Sequence, residues 1–376
     1  MSYKIDLRKV TSGFDGNSFW GQARIGAVPV GKGQGPIAVV TAQPTLLDGN
    51  DVFFGLKEWR SNDMGKTWIG PIDRQESLGR RTKREGVEVA TCGMEPQWNA
   101  DHNVLLSTGH SVCYSNDSQP DFEKSIDVTY AIFDPESDTW VPWKTLELPD
   151  QKRFEVLAAG CSQRVDLGDG ILLLPVHFRS TDQPKWEACN TVTVLRCSFD
   201  GDTLRYRDHG TELTLDVPRG YLEPSLIRFN DRFYLTLRND VRGYVTTGAD
   251  GLHFEKPRPW RFDDGSELGN YNTQQHWVSH NNQLYLVYTR RGLNNDHVFR
   301  HRAPLMMARV DPEQCVVLRD TEREIVPNRG ARLGNFSICH ATEEETWISA
   351  AEWMQPKGCE QYGSDNTVWM ARILWE

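Results

Sequence analysis

The sequence LEPSLIRFNDRFYLTLRND at residues 222–240 has the same plan as TQQHWVSHNNQLYLVYTRR at residues 273–291. In both, polar residues precede a short strand, a two-residue turn of Asn or Asp follows, and a second strand carries Tyr-Leu. Alternating strands bounded by such turns indicate β-hairpins. The same plan recurs, more loosely in places, at residues 21–43, 94–110, 161–179 and 335–353, so the chain contains six copies of one unit.

The spacing of the copies predicts a closed ring. Counted from one early polar residue in each copy, the units begin 51 to 73 residues apart, at Gln22, Glu95, Gln163, Glu223, Gln274 and Asn335. A unit of roughly 60 residues has room for the four-stranded blade of a β-propeller. We therefore predict an all-β fold, a single β-propeller domain of six four-stranded blades over residues 1–376. The N-terminal YKIDLRKV should pair with the C-terminal VWMARILW and leave no sheet edge open.

Composition and charge exclude several kinds of partner. The chain has 42 Lys and Arg against 52 Asp and Glu, so it lacks the basic balance typical of nucleic-acid binding. It contains no apolar run near the roughly 18 residues of a membrane span and no apolar leader segment. We expect no nucleic-acid or membrane partner, and a cytoplasmic location, or a periplasmic or secreted one if a leader was trimmed. The eight cysteines are too sparse for a disulfide scaffold and are expected to be buried free thiols.

The sequence predicts neither a cofactor nor a metal site. The histidine pairs His276/His280 and His297/His301 have a spacing that would hold zinc on a helix. On a strand, however, the two rings of such a pair lie roughly 13 Å apart.

Candidate site residues concentrate in units three to five. His177 and Arg179 are two residues apart, as are Tyr221 and Glu223, so each pair shares one face of a predicted strand. Arginine suits a carboxylate, because its planar fork matches the two oxygens. The density of His and Arg in an acidic protein therefore indicates a local site for an anionic ligand. The predicted ligand-binding residues are Gln22, Arg24, Arg179, Glu223, Gln274, His276 and Arg302.

Two chemistries fit these residue types if the ligand is an acidic sugar. In β-elimination, an arginine neutralises the carboxylate of a uronic acid, and a His or Tyr removes the proton on C5. A retaining glycosidase instead needs a nucleophile and an acid. The 13 Trp, 11 Tyr and 15 Phe also suit a sugar-binding protein, although all-β cores are rich in aromatics as well.

One motif and several stretches carry a resemblance to known families. SNDMGKTW (61–68) has the form S-x-D-x-G-x-T-W, which is similar to the Asp-box, a hairpin turn on the outer edge of sialidase-like propeller blades. Together with GFDGNSFWGQARIGAVP, GYLEPS and HRAPLMMARVDPEQ, it makes nearly the whole chain resemble these propellers. More narrowly, the chain resembles the rhamnosyl-glucuronate hydrolases and lyases and, more distantly, the ulvan lyases. Seven blades are usual in that group, one more than the repeat count here.

The resemblance implies site residues as well as a fold. The lyase site of that group uses histidine, tyrosine and arginine, and His177, Tyr221 and Arg238 match that order. The place of a second lyase histidine is held by Cys161 or Gln163, unless His110 fills the role from a neighbouring blade. The hydrolase site of the group uses a histidine where this chain has Gln22.

Three functions therefore stand as hypotheses. The first is a lyase that cleaves an acidic oligosaccharide or polysaccharide at a uronic acid, with His177, Tyr221 and Arg238 as catalytic residues. The second is a sialidase-like exo-glycosidase, in which Tyr221 and Glu223 would form the nucleophilic pair. The third is a glycan-binding propeller without activity. A conjugated double bond in the product distinguishes the first, release of a sialic acid reporter the second, and binding without a product the third.

Overall fold

The computed structural model describes residues 2–31, 34–49, 51–115, 126–182 and 187–376. The described chain forms six sheets of mainly antiparallel strands in a ring, a six-bladed β-propeller. The six blades predicted from the repeat are confirmed. A seventh blade, which the narrower resemblance implied, has no counterpart among the described strands, because each of the six sequence units accounts for one sheet.

The first three blades follow one another along the chain after strand β1 (Tyr3–Thr11), which belongs to the last blade. Blade 1 consists of β2 (Ser18–Val28), β3 (Ile37–Leu46), β4 (Lys57–Ser61) and β5 (Ile69–Asp73), and the short helix α1 (Gln75–Leu78) follows it. Blade 2 consists of β6 (Arg81–Arg84), β7 (Val87–Asn99), β8 (Val104–Ser115), β9 (Val128–Asp134) and β10 (Thr139–Thr145). Blade 3 consists of β11 (Val156–Ala158), β12 (Val165–Gly168), β13 (Ile171–Arg179), β14 (Cys189–Phe199), β15 (Leu204–His209) and β16 (Arg219–Gly220).

The remaining three blades complete the ring. Blade 4 consists of β17 (Leu222–Phe229), β18 (Arg232–Arg238), β19 (Tyr244–Gly248) and β20 (Arg258–Pro259). Blade 5 consists of β21 (His276–His280), β22 (Gln283–Tyr288), β23 (Leu305–Asp311), β24 (Val316–Val317) and β25 (Arg323–Val326). Blade 6 consists of β26 (Phe336–His340), β27 (Glu345–Ala351), β28 (Val368–Trp375) and β1. Three 3-10 turns lie at Phe299–His301, Arg319–Thr321 and Cys359–Tyr362.

Strand β1 joins the two ends of the chain within one sheet. It pairs antiparallel with β28, with Tyr3 opposite Trp375 and Leu7 opposite Ala371. The innermost strands of neighbouring blades pack against one another: β2 contacts β7 and β26, and β17 contacts β12 and β21. One end of each of these strands therefore surrounds a common central axis.

The core lies between the blades rather than in one central layer. Apolar residues of adjoining sheets form separate buried clusters, for example Val287 of blade 5 with Ile348 of blade 6, and Leu174 of blade 3 with Leu106 of blade 2. Such residues are completely shielded from solvent. Fully burying one aliphatic side chain contributes about 1.5–3 kcal/mol, so the interfaces between blades hold the ring together.

The Asp-box forms the turn between β4 and β5, at the outer part of blade 1. Asp63 accepts hydrogen bonds from the backbone N–H groups of Lys66 and Thr67, both at 2.9 Å, and from the Thr67 hydroxyl at 2.7 Å. Gly65 has φ of +79°, and a Cβ there would lie 2.5 Å from the sulfur of Met370. The motif therefore stabilises a turn and has no direct part in a central site.

Candidate functional site

A repeated backbone distortion turns polar side chains toward the central axis. Near the start of the innermost strand, four blades place a non-glycine residue at positive φ: Gln22 (54°), Cys161 (62°), Glu223 (39°) and Asn272 (54°). The pairing registers of β2 and β17 shift at this point. A left-handed non-glycine residue costs about 1–3 kcal/mol, and such residues cluster at functional sites. All four line one cavity.

The cavity measures about 200 Å³ and opens on the face where these strands begin. Its walls hold six arginines and two histidines but only three carboxylates among the described residues, so its lining carries an excess of positive charge. The arginines are Arg179, Arg219, Arg238, Arg300, Arg302 and Arg332, the histidines His110 and His177, and the carboxylates Asp51, Glu223 and Asp240.

The six polar anchors of the repeat lie in two layers rather than in one ring. Gln22, Glu223 and Asn335 line the cavity. Glu95 and Gln274 correspond to the position two residues after Gln22 in the strand. These two side chains and that of Gln163 lie beneath the cavity floor and do not line the cavity. The sequence pattern could not separate the layers, because both positions carry polar residues.

Arg24 organises the lower layer. Its guanidinium is completely buried, forms an ion pair with Glu95, and donates hydrogen bonds to Cys161 Sγ at 2.8 Å and to Gln274 Oε1 at 3.4 Å. It also donates to Gln22 Oε1, a cavity residue. Arg24 therefore supports the floor from below and is not itself among the residues that line the cavity.

His276 belongs to the same supporting layer. Its Nδ1 lies 2.7 Å from the Ser225 hydroxyl, and its Nε2 lies 2.8 Å from the amide nitrogen of Gln274. Burial, followed by the nearby charge of Arg24, lowers the pKa of His276 to about 3. Of the predicted ligand-binding residues, Gln22, Arg179, Glu223 and Arg302 line the cavity, whereas Arg24, Gln274 and His276 lie behind it.

The two cavity histidines come from the second strands of neighbouring blades. His177 lies on β13, and His110 lies on β8. Burial, with a further contribution from His110, lowers the pKa of His177 to about 3, so its ring is neutral at neutral pH. The Glu223 backbone N–H donates to Nδ1 of His177 at 3.4 Å, so the neutral ring carries its proton on Nε2. His110 Nε2 lies 3.2 Å from Cys92 Sγ.

An ion pair continues the wall beside His177. Arg238 Nη1 lies 2.5 Å from Glu223 Oε1, and its Nη2 donates to Asn272 Oδ1 at 2.8 Å. Burial opposes ionisation of Glu223, but the charge of Arg238 outweighs it and lowers the pKa of Glu223 to about 2. Arg302 donates to the same Asn272 side chain at 3.2 Å. Asn272 therefore bridges the two arginines.

Arg302 is held in an unfavourable electrostatic environment. Burial and the charges of Arg238, Arg332 and Arg300 set its pKa well below its usual range. Nε of Arg302 and Nε of Arg238 find no hydrogen-bond partner among the described residues. Buried charged donors without acceptors are costly. An anion between these guanidinium groups would supply both the acceptors and the countercharge.

Arg219 and Arg332 are cavity residues that the sequence did not single out. Arg219 has φ of +71° and donates to Asp240 at 3.1 Å. Arg332 lies with its guanidinium carbon 5.0 Å from the ring centre of Trp353, and Trp353 also lines the cavity. Arg219 stands four residues before Glu223 and Arg332 three residues before Asn335, the polar residues of their units. That offset is the signal that would have found them.

Tyr221 does not line the cavity. Its side chain is 2% exposed and packs in an apolar cluster between blades 3 and 4, where its ring centre lies 5.2 Å from that of Tyr244. Burial raises the pKa of its phenol further above the usual range. Among the described residues, no tyrosine contributes to the cavity wall. The structure thus brings His177 and Arg238 together, whereas Tyr221 lies outside their cavity.

Neither a metal-binding cluster nor a membrane-spanning helix is found among the described residues. Across the described ranges, no three His, Cys, Asp or Glu side chains gather as they would around a metal ion. No helix in the part of the chain that the structure describes has the length and apolarity to cross a bilayer.

No model of a protein family matches the sequence, and no curated protein matches it. Among solved structures, the chain is similar to a protein of unknown function from Dyadobacter fermentans, with a TM-score of 0.63 and 13% identity over 98% of this chain and 99% of that one. It is also similar to Trypanosoma rangeli sialidase, with a TM-score of 0.59 and 12% identity over 99% of this chain and 60% of that one. The same sialidase in complex with sialic acid gives a TM-score of 0.58 at 11% identity, over 100% of this chain and 59% of that one.

A mutant of the NanB sialidase from Streptococcus pneumoniae gives a TM-score of 0.61 at 10% identity, over 98% of this chain and 70% of that one. This chain thus spans about 60% of the length of the T. rangeli sialidase. At these identities the likeness shows the fold, and the predicted resemblance to sialidase-like propellers is confirmed at that level. The narrower resemblance to rhamnosyl-glucuronate and ulvan enzymes stays a prediction.

Proposed function

We propose that this protein is a carbohydrate-active propeller that cleaves an acidic glycan by β-elimination at a uronic acid. The observation that carries the proposal is the convergence of buried arginines and two histidines on one cavity. The fold adds support, because a propeller of similar architecture forms a complex with sialic acid, a sugar with a carboxylate.

Arg238 and Arg302 are the groups that would bind the carboxylate of the sugar. Both are buried, both present an Nε without a partner among the described residues, and Asn272 holds them side by side. Two such forks match the oxygens of one carboxylate. Binding would also lower the activation barrier for removal of the C5 proton, because the two arginines neutralise the charge that develops on the carboxylate during that step.

The two histidines have different parts in this proposal: His110 transfers a proton, and His177 donates a hydrogen bond to the departing oxygen. His110 accepts the proton on C5, the C5–H electrons form the C4–C5 double bond, and the C4–O bond breaks. The departing oxygen accepts a hydrogen bond from Nε2–H of His177 and takes a proton from water, and His110 then returns its proton to solvent. His177 donates rather than accepts here, because the Glu223 backbone N–H already occupies its Nδ1.

A tyrosine-based glycosidase finds less support. Glu223 has an oxygen, Oε2, without a partner in the described chain, and could assist a nucleophile. However, Tyr221 lies in the apolar cluster between blades 3 and 4, and the described cavity wall contains no other tyrosine. The Tyr–Glu pair of a sialidase is therefore not assembled around this carboxylate-binding region.

The experiment that tests the proposal is an ultraviolet assay with a panel of glucuronate-containing oligosaccharides, with and without a rhamnose cap. The variants are His177→Ala, His110→Ala and Tyr221→Phe, with His253→Ala as the control because its side chain is 73% exposed. We expect the absorbance of the conjugated product in wild type. Each cavity histidine variant should lose about 10²- to 10⁴-fold of the rate. Tyr221→Phe and His253→Ala should retain it.

Three outcomes would overturn parts of this proposal. Loss of activity in Tyr221→Phe with retention in His110→Ala would restore Tyr221 as the second catalytic group. A new reducing end without ultraviolet absorbance, or release of a sialic acid reporter, would make the protein a hydrolase. Binding of the glycans by calorimetry without any product would make it a glycan-binding propeller.

A further inference from the structure

An exposed aromatic ring lies next to two arginines of the charged cavity. Phe299 is 47% exposed, one residue before Arg300 and three before Arg302, both of which line the cavity. We infer that Phe299 is a platform on which a second sugar unit stacks, next to the acidic unit held by the arginines. The inference rests on the proposed function and specifies its substrate as at least a disaccharide.

The backbone explains how neighbouring residues point to different places. Arg300 has φ of 59° and His301 has φ of 52°, two consecutive left-handed residues in the 3-10 turn Phe299–His301. Non-glycine residues rarely adopt this conformation, so the surrounding structure must impose it. The reversal leaves Phe299 in solvent while Arg302, three residues later, is only 6% exposed.

Two cavity arginines lie against the ring. The guanidinium carbon of Arg300 lies 5.0 Å from the ring centre of Phe299, and that of Arg332 lies 5.3 Å from it. Arg332 also lies 5.0 Å from Trp353, so its guanidinium contacts both rings. Phe299 is therefore directly beside the cavity wall and cannot be regarded as a remote surface residue.

The chemistry of the Phe299 ring determines which part of a ligand can pack against its exposed face. Phenylalanine offers an apolar face without hydrogen-bond donors or acceptors, and it gains from contact with carbon–hydrogen groups through dispersion and removal of water. The C–H face of a pyranose ring supplies such groups, whereas a carboxylate does not. The acidic unit would thus bind to the arginines, and the rest of the glycan would extend out of the cavity over the loops of blades 5 and 6.

The test compares a small and an extended acidic sugar. Calorimetry would measure binding of methyl glucuronide and of the disaccharide in which glucuronate is joined to glucose. The variants are Phe299→Ala and the conservative Phe299→Tyr. The control is Ile69→Ala, which removes an apolar side chain that is 65% exposed on the outer strand β5.

We expect wild type to bind the disaccharide more tightly than methyl glucuronide. Phe299→Ala should weaken disaccharide binding about tenfold and leave methyl glucuronide unchanged, because one stacked ring is worth about a factor of ten. Phe299→Tyr and Ile69→Ala should behave as wild type.

Equal losses for both sugars in Phe299→Ala would mean that Phe299 only positions Arg300 and Arg332. No loss for either sugar would show that the ring does not touch the glycan. Either result overturns the inference while the proposed function stands. If wild type binds neither sugar, the proposed function itself fails.

Discussion

Arg238 and Glu223 form an ion pair inside the central cavity, with 2.5 Å between Arg238 Nη1 and Glu223 Oε1. Arg238 keeps the pKa of Glu223 at about 2 in spite of burial, so the carboxylate is charged at neutral pH. The second oxygen of Glu223 has no partner among the described residues. The protein therefore holds an internal anion at the place where we expect a substrate carboxylate, and the two carboxylates compete for Arg238.

Glu223→Gln tests this competition. Removing the negative charge should strengthen binding of methyl glucuronide about tenfold, because the sugar carboxylate then faces the arginines without a like charge beside it. The same change should lower the free energy of unfolding by about 2 kcal/mol, since a hydrogen bond between charged groups is replaced by a weaker one.

Calorimetry and chemical denaturation measure the two effects separately. The control is Lys4→Gln, because Lys4 pairs with Glu376 on the surface and its side chain is 77% exposed. Weaker binding in Glu223→Gln would instead mean that Glu223 orients Arg238 rather than competing with the ligand.

Arg302→Lys should separate the effect of charge from that of geometry at the proposed carboxylate-binding site. Lysine keeps the positive charge but loses the planar fork that donates two parallel hydrogen bonds. We expect binding of methyl glucuronide to weaken about tenfold or more, with Arg302→Ala weaker still. Arg205→Lys is the matched control, because Arg205 pairs with Asp200 on the outer surface. Unchanged affinity in Arg302→Lys would show that only the charge of Arg302 matters.

Gly160→Ala should displace the side chain of His110 while leaving residue 110 a histidine. A Cβ at Gly160 would lie 2.0 Å from Nδ1 of His110, so the imidazole must move. We expect the elimination rate to fall about 10²-fold or more, as for the loss of a proton-transfer group.

The matched control is Gly31→Ala, where an added Cβ meets no atom of the described residues within 4 Å. Thermal unfolding of both variants distinguishes displacement of the ring from general destabilisation. A fully active Gly160→Ala protein would remove His110 from the mechanism.

The fold could be predicted from sequence because its determinants are local and repeated. The hairpins around Asn230–Asp231 and Asn281–Asn282 repeat one pattern of strand, turn and strand, and the spacing of units fixes six blades. The Asp-box adds a turn whose hydrogen bonds come from residues within a single stretch, 61–68. Such patterns can be recognised in the sequence without knowledge of which distant residues are in contact.

The site could be predicted only in part, because its geometry depends on contacts between blades. His177, Arg238 and Arg302 were singled out by residue type, and the structure brings them to one cavity. Tyr221 has the right spacing from Glu223 but packs into the core, since the positive φ at Glu223 redirects one side chain and not the other. His110 joins the site from another blade, and no pattern within one unit reveals such a neighbour.

Two buried neutral histidines should make the protein sensitive to acid. Burial lowers the pKa values of His177 and His276 to about 3, against 6.5 for an exposed histidine. Below pH 6.5 these two histidines become protonated in the unfolded chain but stay neutral in the folded protein. Stability is therefore complete above that pH and is lost as pH falls toward 3. Each histidine contributes a slope of up to about 1.4 kcal/mol per pH unit in this window.

His276→Gln isolates one of these slopes. The variant also loses the hydrogen bond to Ser225 and should be less stable at every pH, but the pH dependence is a separate quantity. We expect urea unfolding between about pH 7 and pH 4.5 to show a dependence that is shallower by up to about 1.4 kcal/mol per pH unit than in wild type. His253→Gln, at a side chain that is 73% exposed, should keep the wild-type slope. If His276→Gln keeps that slope as well, His276 takes up its proton in the folded state, and the layer beneath the cavity must then be open enough to water to solvate the charge.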